Sequence, residues 1–235
     1  NRDAVLWTPL LRSRLWLELE SSSSSAPVYI KLESEQVTGS FKVRGAVNRI
    51  SNVFETFSDA CSIPQIVTAS TGNHAMAVAH ALELIGRTSD VKRGCIFLPR
   101  SAKEAKVKAL QAYDGVVEMR FTDGDDCLEA ELAAKAFANQ ATGAVYVSPC
   151  NDYDVICGQG TIAIEILDAL RAVGTVCDSN ACPGVVYVTV GGGGLIAGVG
   201  SYLKARAPGW RVVGAQPENS PVMSASVKAG QVVQM

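Results

Sequence analysis

Histidine is scarce in this sequence of 235 residues, which has two, and none of its seven cysteines forms a C-x-x-C pair. The spacings of a zinc site are therefore missing, and we expect no metal site. The cysteine number is odd and the chain is not small, which argues against a disulfide framework and favours reduced, mostly buried thiols. No N-x-S/T sequon occurs, so a cytoplasmic location is the expectation.

The sequence also has little net charge, −2 from 23 acidic and 21 basic residues. That balance gives no reason to expect nucleic acid or an acidic membrane surface as a partner, and no apolar run reaches the length of a membrane span. The sequence starts at Asn1 rather than Met, and residues 229–235 read as the start of a further element. We therefore expect a longer coding sequence at both ends, which leaves organellar targeting open.

Apolar strands alternate with amphipathic helices along most of the chain, which predicts βαβ units, largely parallel sheets and an α/β fold. The predicted strands are 28–32, 66–69, 95–98, 116–121, 145–148, 185–190 and 212–216, and the predicted helices are 43–57, 73–85, 102–112, 125–137, 158–173, 195–207 and 221–228. The strand at 185–190 is almost wholly apolar, which predicts a sheet covered on both faces. The serine run at 21–25 is interpreted as a solvated loop that lengthens a hairpin between 15–19 and 28–32.

The first motif with possible chemistry is TGSFKVRG at 38–45. Lys42 stands where a loop of small residues enters a predicted helix, at the positive end of the helix dipole. We expect this placement to lower the pKa of the ammonium group and free the amine to attack an aldehyde. Taken alone, the motif also fits a solvent-exposed lysine beside Arg44.

The second motif, ASTGNHA at 69–75, follows a predicted strand and opens a predicted helix. Backbone N–H groups and small hydroxyls at a helix start can form a cradle for a carboxylate or a phosphate. The alternative is a simple helix cap, in which Ser70, Thr71 or Asn73 satisfies the first N–H groups. Alone, His74 would more often be structural than catalytic.

The third motif is VGGGGLIAG at 190–198. Four glycines let the backbone approach an anion closely, and their N–H groups can form a nest for a phosphate. Residues 192–197 also fit the dinucleotide fingerprint G-x-G-x-x-A, so a nicotinamide-dependent oxidoreductase is an alternative. That fingerprint needs an acid at the end of the next strand, where the sequence has Gln216 and Pro217 before Glu218. The alternative also gives Lys42 no role.

Together the motifs resemble the fold type II pyridoxal-phosphate (PLP) enzymes, specifically the group of serine/threonine ammonia-lyases (dehydratases) and serine racemases. The likeness runs from Thr8 to nearly the end of the chain, with the motifs in the family's order. The residues that carry it are 31–33, 39–46, 70–75, 151–152, 154–161 and 190–198. It implies a two-domain α/β fold like tryptophan synthase β, with a larger PLP-binding domain from 1–51 and 151–235 and a smaller substrate-side domain from 52–150.

The resemblance also implies roles for individual residues. Lys42 would carry pyridoxal 5'-phosphate on its amine, Phe41 would pack beside the cofactor, and Asn73 would hydrogen-bond the ring hydroxyl. The residues that would bind the phosphate are Gly191, Gly192, Gly193, Gly194 and Leu195. The residues that would hold the substrate carboxylate are Ser70, Thr71, Gly72, Asn73 and His74.

The implied activity is PLP-dependent β-elimination and deamination of L-threonine or L-serine to a 2-oxo acid and ammonia. Lys42 would act as general base for the Cα proton while the β-hydroxyl leaves. Thr71 is the second catalytic candidate, because racemases carry a catalytic serine there and many dehydratases an alanine. An amino-acid racemase and a catalytically inactive relative are the alternatives, and we expect a homo-oligomer.

Further departures from the family pattern concern metal binding and the end of the chain. Gln216 and Val222 stand where metal-binding relatives have carboxylates, the hard oxygen ligands of divalent cations. Met76 and Ala77 stand where the family commonly has Gln-Gly, and we expect this difference to affect packing alone. The residue facing the pyridine nitrogen is expected beyond Met235, so the 235 residues by themselves should be a poor enzyme.

Overall fold

The structure, a computed structural model, describes residues 4–13, 27–57, 63–86, 93–141, 143–175 and 184–233. The strands are β1 (Leu10–Arg12), β2 (Tyr29–Lys31), β3 (Gln65–Ala69), β4 (Gly94–Leu98), β5 (Val117–Phe121), β6 (Ala144–Tyr146), β7 (Val185–Thr189) and β8 (Arg211–Ala215). The helices are α1 (Lys42–Thr56), α2 (Asn73–Ile85), α3 (Glu104–Gln111), α4 (Cys127–Gln140), α5 (Tyr153–Ala172), α6 (Gly194–Arg206) and α7 (Val222–Ala229). The predicted alternation of strands and helices is confirmed.

The largest shift of an element boundary is at α5, which begins at Tyr153 rather than at residue 158. The side chain of Asp152 accepts hydrogen bonds from the backbone N–H groups of Asp154 and Val155, at 2.9 and 3.1 Å. This side-chain cap starts the helix earlier than its apolar spacing indicated, because it satisfies two of the first N–H groups.

The central sheet has four parallel strands in the order β5-β4-β3-β6. Neighbouring strand residues face opposite sides. Ile66 packs with α1 and α2, whereas Val67 and Ala69 pack with Ala130 and Ala134 of α4. Because β3 pairs in parallel with β6, the segments that follow these strands, including residues 70–74 and 147–150, leave the same edge of the sheet.

Strands β7 and β8 form a separate parallel pair whose Val188 packs with α5 and α6. On β7, Val185 is 43% exposed and Tyr187 is 71% exposed. The expectation of a strand covered on both faces is therefore wrong for the residues that the structure describes, since α5 and α6 cover one face. The division into two domains stays a prediction.

An antiparallel pair, β1 with β2, lies near the start of the chain. The sequence patterns did not predict β1. They placed the hairpin partner of β2 at 15–19, with the serine run at 21–25 in the loop, and these residues lie outside the described part of the chain.

Candidate functional site

Lys42 is the first residue of α1, and its side chain reaches the segment that follows β6. Its Nζ donates a hydrogen bond to the Pro149 carbonyl oxygen at 2.6 Å and lies 5.1 Å from the centre of the Phe41 ring. Burial lowers the pKa of Lys42 from its ordinary value, and Cys150 acts in the opposite direction. The pKa is thus shifted in the expected direction, and burial is the largest cause of the shift.

Residues 147–150, the connecting segment, link three parts of the site. The Pro149 carbonyl oxygen accepts from Lys42, and the Val147 carbonyl oxygen lies 3.3 Å from His74 Nε2. Cys150 lies against the tetraglycine loop, residues 191–194, where a Cβ on Gly192 would be 2.4 Å from Cys150 Sγ. Lys42, the start of α2 and the tetraglycine loop therefore all meet this segment.

The sequence patterns did not single out Pro149 and Cys150. The signal that could have found them is topological, because segments that follow neighbouring parallel strands leave the same edge of the sheet, where α/β proteins bind ligands. The predicted strands at 66–69 and 145–148 both end there, directly before the loop at 70–74 and before Pro149.

The loop before α2 leaves the helix start without a side-chain cap. Gly72 is the N-cap residue, and no side chain of the described residues caps the helix; the Ser70 hydroxyl accepts from the Gly72 N–H at 3.2 Å instead. Thr71 is half-buried and Asn73 is exposed. The alternative in which Ser70, Thr71 or Asn73 caps α2 is therefore wrong, and the first turn has no side-chain cap in the part of the chain that the structure describes.

His74 is buried, and its imidazole faces the connecting segment. A carbonyl oxygen only accepts, so Nε2 carries the proton toward Val147, and Nδ1 has no hydrogen-bond partner among the described residues. Burial, helped by the positive charge of Lys42, lowers the pKa of His74 to about 4. The imidazole is therefore neutral at pH 7, and its Nε2 faces the backbone of the connecting segment.

The tetraglycine loop contains a positive φ and a close backbone approach, both of which favour glycine. Gly193, the N-cap residue of α6, has a φ of 88°, in the left-handed region, and no side chain caps the helix. A Cβ on Gly194 would lie 2.9 Å from the Cα of Cys150. Leu195 packs into the core beside α5. Uncapped N–H groups at a helix start, reached through a glycine loop, are typical of an anion site.

A buried cluster of charges, which the sequence patterns did not reveal, surrounds Arg44 one half-turn after Lys42. Arg44 Nε lies 2.8 Å from Glu33 Oε2, and Arg44 Nη1 lies 2.5 Å from Glu165 Oε1. Lys31 Nζ lies 2.5 Å from Glu165 Oε2. Burial alone would lower the pKa of Arg44, but the bonds to both carboxylates outweigh it and raise that pKa. The cluster anchors α1 to β2 and α5.

Parallel strands, a half-buried lysine and a glycine-rich helix start are together typical of an α/β protein that binds a phosphorylated ligand at the ends of its strands. The chain matches the family of pyridoxal-phosphate dependent enzymes over residues 2–235. It therefore belongs to that family. The predicted fold type II resemblance and the predicted cofactor are confirmed, and the nicotinamide alternative is not supported.

Known relatives agree with this family assignment. L-threonine ammonia-lyase of Thermotoga maritima is 38% identical over 211 residues, which are 90% of this chain and 47% of that protein. Threonine deaminase isoform 2 of Solanum lycopersicum superposes with a TM-score of 0.79 at 32% identity, over 99% of this chain and 60% of that one. Maize serine racemase superposes at 0.76 and 30% identity, over 98% and 62%. The chain spans about half the length of the curated relatives it matches.

Two further observations concern binding. None of the helices that the structure describes is long and apolar enough to cross a membrane. Within the same described ranges, no group of three or more His, Cys, Asp or Glu side chains is arranged to hold a metal ion.

Proposed function

We propose that this chain catalyses the PLP-dependent conversion of L-threonine or L-serine to a 2-oxo acid and ammonia. The observation that carries the proposal is the meeting of Lys42, the start of α2 and the tetraglycine loop at the connecting segment. The threonine ammonia-lyase and threonine deaminase named above support the reaction type.

The residues present fit PLP. A covalent cofactor needs a lysine whose amine is accessible and easily deprotonated, and Lys42 is half-buried with a lowered pKa. A phosphate needs free N–H groups and a backbone without side chains, and Cβ atoms on Gly192 and Gly194 would collide with Cys150. We assign Lys42 as the residue that carries the cofactor, Phe41 as its packing neighbour, and Asn73 as the partner of its ring hydroxyl.

The remaining assignments concern the phosphate and the substrate. The phosphate would bind to the backbone N–H groups of Gly191, Gly192, Gly193, Gly194 and Leu195. The substrate carboxylate would bind to the uncapped start of α2, formed by Ser70, Thr71, Gly72, Asn73 and His74. His74 would contribute its backbone N–H, because its imidazole Nε2 is bonded to the Val147 carbonyl oxygen.

When bound, PLP supplies an electron sink for the pair of electrons left at Cα. Lys42 Nζ takes the proton from Cα, which its lowered pKa favours. The start of α2 orients the substrate by its carboxylate. Loss of the β-hydroxyl as water and addition of one water then convert the amino acid to one 2-oxo acid and one ammonia.

Replacement of Lys42 tests this proposal. Lys42→Ala and Lys42→Arg should both abolish turnover and covalent attachment of PLP. The melting temperature of the PLP-free protein should change little, because among the described residues the Lys42 side chain makes a single hydrogen bond, to Pro149. Mass spectrometry after borohydride reduction should find the cofactor on the peptide that contains Lys42. Lys103→Ala, at another lysine of the chain, is the control. Finding the cofactor on a different lysine would contradict the assignment.

An amino-acid racemase on the same scaffold is the second candidate. It is favoured by the half-buried hydroxyl-bearing Thr71 on the substrate loop and by the similarity to maize serine racemase. Chiral chromatography, run beside a 2-oxo acid assay on the intact PLP-loaded protein, distinguishes the two. A protein that does neither is the inactive relative.

A further inference from the structure

Helix α5 packs against α1 and α6, two of the three helices that begin in the candidate site. Helix α1 begins at Lys42, and α6 begins at Gly194, the last residue of the tetraglycine loop. The two contacts have the same character, because at each one a glycine brings two backbones together without a side chain between them.

At the contact of α1 with α5, Gly158 lies directly against the α1 backbone. A Cβ on Gly158 would be 2.4 Å from the Arg44 carbonyl oxygen and 2.6 Å from the Gly45 Cα. Ordinary contacts between non-bonded heavy atoms are about 3.5 Å or longer. The obstructing atoms belong to the backbone, so no rotamer change relieves the collision, and one helix has to move.

At the contact of α5 with α6, Gly198 has the corresponding position. A Cβ on Gly198 would be 2.3 Å from the Ile156 carbonyl oxygen and 2.7 Å from the Gly160 backbone nitrogen. The side-chain amide of Gln159 lies instead on the α1 side of α5, where its Nε2 would be 2.5 Å from a Cβ on Gly45. The atoms that a Cβ on Gly198 would meet first are all backbone atoms of α5, so α5 and α6 are in direct backbone contact.

Both contacts lie about one helical turn from the functional end of their helix. Gly45 follows Lys42 by three residues, and Gly198 follows Gly194 by four, which corresponds to about 4.5 and about 6 Å along the helix axis. The aldehyde and the phosphate of PLP are carried on one rigid ring. Lys42 and the tetraglycine loop must therefore keep a fixed separation if both are to hold the same cofactor.

We propose that α5 is the spacer that sets the separation between Lys42 and the tetraglycine loop, and that Gly158 and Gly198 are positioning residues for the cofactor. This inference rests on the proposed function. Each glycine controls one anchor: Gly158 fixes α1 and Lys42, and Gly198 fixes α6 and the loop. The two anchors are consequently separable by mutation.

The experiment uses the intact protein and two probes that each engage one anchor. Pyridoxal without phosphate, trapped with borohydride, reports on Lys42, and pyridoxine 5'-phosphate, which has no aldehyde, reports on the tetraglycine loop. Gly158→Ala should displace α1 by about 1 Å and slow trapping of pyridoxal on Lys42 by about 100-fold, while the Kd for pyridoxine 5'-phosphate stays within about threefold. Gly198→Ala should give the reverse pattern.

Two further variants make the result interpretable. Gly200→Ala is the matched control on α6, because a Cβ there meets nothing nearer than Val212 Cγ1 at 3.9 Å; it should behave as the wild type with both probes. Gly160→Ala, with a milder approach of 3.1 Å to the Gly198 carbonyl oxygen, should weaken phosphate binding less than Gly198→Ala and serves if that variant does not fold. Alanine has the higher helix propensity, so poor helix formation does not explain a loss.

The spacer role of α5 is supported if Gly158→Ala impairs mainly the trapping of pyridoxal. It also requires that Gly198→Ala, or Gly160→Ala in its place, impairs mainly the binding of pyridoxine 5'-phosphate. Equal losses with both probes in each folded variant, or no loss in either, would overturn it. A wild-type protein that does not attach PLP to Lys42 would instead refute the proposed function, so the two failures are distinguishable.

Discussion

Replacing Arg44 should lower the stability of the protein more than replacing one residue of an exposed ion pair. Its side chain is 1% exposed and that of Glu165 is 8% exposed. Arg44→Leu leaves Glu33, Glu165 and Lys31 together, with one uncompensated buried negative charge. Loss of one partner of a buried ion pair costs about 3–5 kcal/mol. We therefore expect the free energy of unfolding, measured by urea denaturation with circular dichroism, to fall by about that amount.

The double variant separates charge imbalance from lost packing. Arg44→Leu with Glu165→Leu removes one charge of each sign and leaves Lys31 beside Glu33, at 3.5 Å. Its loss of stability should be smaller than the sum of the two single losses, by about 1–3 kcal/mol. Lys108→Ala, which removes an exposed pair with Glu104, is the control and should cost less than about 1 kcal/mol. Additive losses in the double variant would refute the argument.

The pH dependence gives an independent check. Burial alone would raise the pKa of Glu165, but hydrogen bonds from Arg44 and Lys31 outweigh burial and hold that pKa below its ordinary value. A carboxylate whose folded pKa is depressed stabilises the fold above its unfolded pKa of about 4.3, and this contribution is lost as pH falls through the folded pKa. Wild-type stability should therefore drop on acidification below about pH 4.3, and Arg44→Leu should drop less steeply.

Two further predictions concern the site. Elimination should exceed racemisation, because Thr71 has a methyl group that the catalytic serine of racemases lacks. Magnesium, calcium or a chelator should have little effect, because Gln216 and Val222 have no carboxylate to bind a cation. A racemisation rate above the elimination rate in the paired assays would contradict the first expectation. The His74 ring signals should not titrate between pH 5 and 8, because burial and Lys42 keep its pKa at about 4; proton NMR checks this, with His80→Gln to assign the two histidines, and a midpoint near about 6.5 would show an unperturbed ring.

The sequence predicted the elements of the fold well where local signals are strong. Helix α2 begins and ends at the predicted residues, Asn73 and Ile85, because a glycine stands at each end and apolar residues recur between them. Strands β3, β4 and β7 are short apolar runs closed by small residues or proline. The exposed face of β7 was not predictable, because the apolarity of a strand does not show what covers each of its faces.

The site was predictable only in its local pieces. Lys42, the loop at 70–74 and the tetraglycine loop each stand at a helix start, which spacing along the chain reveals. They meet at the connecting segment. Pro149 contributes its backbone carbonyl oxygen there, and every residue type has such a group, so the sequence does not reveal it. The charge cluster around Arg44 joins residues from β2 to α5, separations over which sequence periodicity carries no information.

The first turn of α1 places two cations near the positive end of the helix dipole, and the fold treats them in opposite ways. Arg44 forms ion pairs with two carboxylates, and its pKa is raised. Lys42 donates a hydrogen bond to a neutral carbonyl oxygen and forms no ion pair with the residues that the structure describes, and its pKa is lowered. An arginine that stays charged can anchor the helix, whereas a lysine that loses its proton easily can bond to a carbonyl compound. The carboxylates Glu33 and Glu165 thus stabilise α1 through Arg44 without becoming salt-bridge partners of the Lys42 amine.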